Sequence, residues 1–136
     1  MLTDELSLLG LYGLLLIAII VVQVLIALPN VGLPYLSTPR DEGRDTGTLG
    51  GRAQRALDNS VVAMALFAPA ILILAVKGIS TPTTVLSAQV FVVARLAYVP
   101  VYIAGIPWLR TLVWTAGVVA VLTLYLVGFG SVTAPA

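Results

Sequence analysis

The sequence predicts an all-α integral membrane protein, a four-transmembrane-helix bundle built as a single domain over residues 1–136. Three observations lead there. The chain is 60% hydrophobic and only 10% charged, where soluble domains average about 45–50% and about 25%. Its mean hydropathy is +1.08. Its apolar residues gather into four runs, at about 6–28, 53–76, 84–104 and 111–129. Each is close to the roughly 20 residues that cross a hydrocarbon core about 30 Å thick.

The first run opens on helix-forming chemistry. Thr3 can cap it, which puts Asp4 and Glu5 in the first turn, where the positive end of the helix dipole favours carboxylates. Pro29 is expected to stop it. The run lacks a basic start and an A-x-A-like site, and it is too long for a signal peptide, so it reads as a retained span. Residues 29–51, "PNVGLPYLSTPRDEGRDTGTLGG", hold three prolines and five glycines. This composition reads as an exposed loop. The later connections, "KGISTPT" and "GIPWL", are short, so the spans they join should be antiparallel.

Direction follows from lysine and arginine. Arg40, Arg44, Arg52 and Arg55 flank the first loop and Arg110 flanks the third, whereas the other side has Lys77 alone. The first and third loops are therefore expected in the cytoplasm and both termini outside. A bundle this small has little interior of its own. Its polar membrane residues are easier to bury between subunits, which predicts a homo-oligomer.

Composition also excludes functions. A net charge of +1 gives no basic surface for nucleic acid. Without cysteine or histidine, disulfides, thiolate or imidazole metal sites and Cys/His nucleophile pairs are ruled out, and no metal is expected. Small four-span exporters use a carboxylate deep in the first span. Here only Tyr12 and Gln23 interrupt that span, which disfavours a transporter.

The residues that carry chemistry are the polar ones at membrane depth, where charge costs about 2.5–3.5 kcal/mol and tends to be paired or functional. On the second span Arg52, Arg55 and Asn59 fall at i, i+3 and i+7, one helical face. Arg95, Tyr98 and Tyr102 repeat that spacing on the third. Arg95 lies about 10 Å inward of Tyr102, and Asp58 and Asn59 about 9–10 Å inward of Arg52, at 1.5 Å per residue. The matched depth predicts that Asp58 neutralises Arg95, within a subunit or across an interface. Each residue also has a plain reading: Arg52 snorkelling to phosphates, the tyrosines packing or forming an interface belt, Arg110 anchoring topology. Their convergence on one end of spans two to four instead describes a cationic, hydrogen-bonding pocket suited to an anion with several polar groups.

The run "RAQRALDN", followed by "ARLAYVPVYIAGIPWLR", resembles the membrane-associated proteins in eicosanoid and glutathione metabolism, the MAPEG family. The likeness spans the whole chain and rests on R-A-x-R-A-x-x-N at a span start, R-x-x-[YH]-x-x-x-Y downstream and an arginine opening the fourth span. It implies a homotrimer that binds glutathione or a related thiol between subunits near the cytoplasmic side. Position by position, Arg55 and Asn59 match the pair that holds the tripeptide, with Arg52 the preceding basic residue. Tyr98 and Tyr102 match further ligand-holding positions, Arg95 the buried third-span arginine, and Arg110 the arginine placed to stabilise the thiolate. Val62 departs from the pattern, because characterised eukaryotic enzymes carry there a glutamate for the ligand's amino group. Trp114 stands where some members have tyrosine. The function implied is a glutathione-transferase-like or peroxidase-like enzyme that conjugates the thiol to, or reduces, a lipophilic electrophile. The alternative is a non-catalytic scaffold of the same family that binds lipids or metabolites.

Overall fold

The computed structural model describes residues 3–39, 41, 43 and 45–130. The chain forms α1 (Glu5–Val31), α2 (Leu33–Leu36), α3 (Gly47–Lys77), α4 (Pro82–Ala104) and α5 (Pro107–Gly130). All but α2 are long and apolar enough to cross a membrane. Helix α3 and helix α4 touch each other and both remaining long helices, whereas α1 and α5 do not meet among the described residues. The α3–α4 pair is therefore the middle of the bundle, with α1 and α5 packed on it.

The start of α1 lies one residue later than Thr3. Asp4 is extended and accepts the Ser7 backbone N–H at 2.8 Å and the Ser7 hydroxyl at 2.6 Å. Those two bonds, the hydroxyl first, hold the Asp4 carboxyl below its ordinary pKa. Glu5 then turns inward. It is buried, accepts the Ser80 hydroxyl at 2.9 Å and meets the Thr84 hydroxyl, which ties the head of α1 to the head of α4. There a reciprocal box between Thr81 and Thr84 caps α4, with Pro82 in the first turn where its missing N–H costs nothing.

Pro29 does not stop α1. The helix runs through it to Val31 and closes at Gly32, whose φ of 79° suits glycine. A proline near the end of a span forfeits one hydrogen bond, and the helix can continue around it. The segment expected as loop is also partly helical: Tyr35 of α2 packs on Ala27 and Val31, and α3 already begins at Gly47. Asn30 donates to the Thr46 carbonyl at 2.8 Å, joining the end of α1 to the entry of α3. Arg40 and Arg44, which entered the topology argument, lie outside the described residues.

The core is aromatic at its centre. Phe67 of α3 stacks on Phe91 of α4 at 4.0 Å, and Tyr12 of α1 meets both rings edge-on at 6.0 and 5.0 Å. Such pairs favour stacked and edge-to-face arrangements. Leu8, Ile71, Leu74, Val121 and Leu124 complete the packing. The outward faces are apolar as well: Leu14, Ile17 and Leu25 on α1, Leu86 and Val93 on α4, Leu112 and Leu126 on α5 are all exposed. Water would make that surface untenable, and a bilayer suits it.

Candidate functional site

The polar residues singled out by spacing converge where α3 begins, α4 ends and α5 begins. Helix α4 closes at Gly105 with φ 77°. Arg52 lies over this turn and donates to the Ile103 carbonyl at 3.1 Å. The φ of this turn requires glycine, and a Cβ on residue 105 would also come within 2.8 Å of the Arg52 guanidinium and displace it from the Ile103 carbonyl. A cation against the last carbonyls of a helix is also favoured by the helix dipole. In the single chain Arg52 thus fastens α3 to α4.

One turn further along α3, Arg55 Nε donates to the Tyr102 hydroxyl at 3.2 Å. Arg110, in the first turn of α5, stands 5.0 Å from the centroid of the same ring. Tyr102 therefore presents its oxygen to one guanidinium and its π face to another, and three helices are held together by one phenol. Tyr98 lies 5.5 Å from Tyr102 and receives on its own face the Arg95 guanidinium, 4.1 Å from the centroid. Arginine and tyrosine so alternate from the half-exposed end of the bundle into its interior.

Arg95 is 3% exposed. Its Nη2 donates to Ser60 Oγ at 3.0 Å, the Tyr12 hydroxyl stands beside it, and its Nε has no hydrogen-bond partner. Ser60 is itself placed by a bond to the Ala56 carbonyl at 2.7 Å, and its own carbonyl accepts the Tyr12 hydroxyl at 2.7 Å. The expected Asp58–Arg95 pair does not form within the subunit. Asp58 is exposed and accepts from Gln54 at 2.9 Å. Depth was matched but direction was not: two residues of helix turn the side chain by about 200°, so α3 aims Ser60 inward and Asp58 outward. We therefore expect Asp58→Ala to change thermal stability in detergent by less than about 0.5 kcal/mol, as for other surface polar residues. A loss of several kcal/mol would mean that Asp58 answers Arg95 across a subunit interface.

Two adjacent hollows lie beside this ladder. The outer, about 180 Å³, is lined by Asn59, Tyr98, Arg110, Thr111 and Trp114. The inner, about 170 Å³, shares Asn59 and Trp114 and continues past Arg95 to Val62, Leu66, Val118 and Val121. The cleft is cationic and hydrogen-bonding at its mouth and apolar at depth, and Val62, Leu66, Trp114 and Val118 leave its side exposed to lipid. A roomier groove of about 480 Å³ between α4 and α5 is apolar except for Gln89 and holds no ionisable group.

Of the residues singled out by spacing, Asn59, Arg95, Tyr98 and Arg110 line these hollows, whereas Arg55 and Tyr102 line neither and stand beside them as a bonded pair. Spacing missed Ser60 and Tyr12, which hold Arg95, while the family resemblance marks the position of Val62, which forms part of the inner wall. A serine directly after Asn59 on an otherwise apolar stretch was the available signal.

Four helices long and apolar enough to cross a bilayer, with apolar outward faces, define an integral membrane protein. The chain belongs to the MAPEG family, whose model matches residues 6–130. No curated protein and no solved structure matches it.

Proposed function

We propose that this chain is a glutathione-transferase-like membrane protein that binds glutathione or a related thiol in the cleft and delivers it to a lipophilic electrophile. The observation that carries the reading is Arg110. It lies on the outer hollow beside Tyr98 and Asn59, within reach of an anion and held there by the Tyr102 ring. A free thiol with a pKa of about 8.5 is mostly protonated at neutral pH and weakly nucleophilic. A guanidinium beside the sulfur favours the thiolate. The proton leaves to water, the sulfur forms a bond to the electrophilic carbon, and that carbon's leaving group or ring oxygen takes the displaced electron pair. Asn59 and Arg55 supply hydrogen bonds for the rest of the thiol. The protein needs no cysteine, because the ligand brings the sulfur.

The same reading makes the protein a homotrimer with the cleft near the cytoplasmic side of a bacterial membrane and both termini outside. The apolar groove between α4 and α5 is consistent with a neighbouring subunit, and the arginines at the mouth of the cleft agree with the charge bias that sets orientation. A second reading, a scaffold that binds a lipid or metabolite without turnover, is favoured by the apolar wall at Val62. Native mass spectrometry of the protein released from detergent with a panel of thiols tests both the assembly and the ligand. We expect a trimer carrying bound thiol and conjugation of standard electrophiles. Bound ligand without conjugation would favour the scaffold, and no thiol adduct at any concentration would overturn the thiol reading.

A further inference from the structure

The cleft has an unusual charge inventory. Arg110 lines its outer part and Arg95 its inner part, and among the described residues no carboxylate lines either. Among the described residues, Asp58 faces outward on Gln54, Asp45 holds the Gly47 N–H at 2.8 Å, and Asp4 and Glu5 are bonded at the end opposite the cleft. Arg95 is the more telling of the two cations. It is almost wholly buried, has an unpartnered Nε and meets a hydroxyl and a π face where a counter-ion would normally stand. A buried guanidinium without an anion is an uncompensated charge. The adjoining hollow is where an anion can reach its field.

We propose that the cleft selects thiols that carry anionic groups and no free ammonium, such as N-acylated cysteinyl peptides or mercapto acids. This rests on the thiol-binding reading and specifies its ligand. An anionic group on such a ligand faces Arg95 and Arg110 from within a water-poor site, where attraction is several times stronger than in bulk water. An ammonium on the same ligand would lose hydration beside two guanidinium groups and the walls of Val62, Leu66 and Val118, where the side-chain acceptors of this subunit, Asn59, Tyr98 and Thr111, are neutral and no carboxylate offsets its charge. Leaving one charged group unpaired in such a site weakens binding by about tenfold or more. Acylation of the amine removes that penalty and adds no new charge.

The test compares glutathione with N-acetylglutathione, which differ at the amine alone, by calorimetric titration of the whole protein in detergent. We expect the acetylated thiol to bind at least about tenfold more tightly, and both to lose affinity in Arg110→Ala. Equal binding, or tighter binding of glutathione, overturns the selectivity while leaving the thiol reading intact. Failure of both thiols to bind in an Arg110-dependent way removes that reading and the selectivity with it. Val62 is exposed on the cleft wall at membrane depth, so a polar side chain there carries a cost in lipid, and folding of each variant is checked by its melting temperature in detergent. Val62→Glu should reverse the preference toward glutathione by giving the ammonium a partner, and Val62→Gln, of similar size but neutral, should keep the wild-type preference. An unchanged preference in Val62→Glu would show that the missing carboxylate does not set it.

Discussion

Phe67→Ala is expected to lower the stability of the folded bundle by about 2–3 kcal/mol, somewhat less than the 3–5 kcal/mol typical of a buried phenylalanine in a soluble core. Phe67 is fully buried, stacked on Phe91 at 4.0 Å and in edge contact with Tyr12. Two contributions are lost outright. One is the pair of aromatic contacts, about 0.5–1.5 kcal/mol each. The other is the dispersion energy of atoms left facing a void, because the neighbouring rings cannot collapse fully into it. The transfer contribution that enlarges the effect in water is largely missing, since an unfolded span remains in lipid and phenylalanine is apolar in both states. Thermal or SDS titration in detergent measures the difference, with Val76→Ala as the reference: Val76 is 88% exposed, so its truncation should cost almost nothing. Equal losses in the two variants would mean that Phe67 is not packed as described. A loss well above 3 kcal/mol would mean that the bundle gains from water exclusion as a soluble core does.

The spans were legible because membrane thickness imposes their length and composition on the sequence directly. Their ends were less so. Gly47, Gly50 and Gly51 suggested loop by intrinsic propensity, but α3 includes all three. Asn30 bonds to Thr46, and the Thr46 side chain lies where a Cβ on residue 50 would stand, within 2.6 Å, so small residues are what this entry turn requires. Tertiary fit outweighed propensity there. In the site, helical spacing was enough to put Arg55 and Asn59 on one face and Arg95, Tyr98 and Tyr102 on another, because periodicity is a property of each helix alone. How those faces meet depends on the rotation of one helix about its axis relative to the next, which no single helix encodes. Asp58 shows the consequence. Charge complementarity and depth both selected it for Arg95, and within the subunit rotation selected Ser60.

Arg110→Ala is expected to reduce the rate of thiol conjugation at neutral pH by about 10²–10³-fold, the usual loss when one preorganised partner of a developing or resident anion is removed. The size follows from the site. Arg110 is partly buried at the mouth of the cleft, and the Tyr102 ring fixes its position before any ligand arrives. A cation close to sulfur in such a place lowers the thiol pKa by about 1–3 units, so its removal raises the pKa by the same amount. The direction is testable independently of rate. In the native protein, bound thiol is expected to ionise at lower pH than free thiol, so that the pH–rate curve rises early. In Arg110→Ala the rise moves to higher pH, toward about 8.5, and the ultraviolet absorbance of the bound thiolate at pH 7 disappears. Arg110→Lys keeps the charge and loses the planar contact with Tyr102, so it should retain the pH shift and recover most of the rate. A variant that bound thiol weakly but ionised it at the native pH would reduce Arg110 to a packing partner of Tyr102. Activation of the sulfur would then fall to Arg55 or Tyr98, the next donors along the ladder.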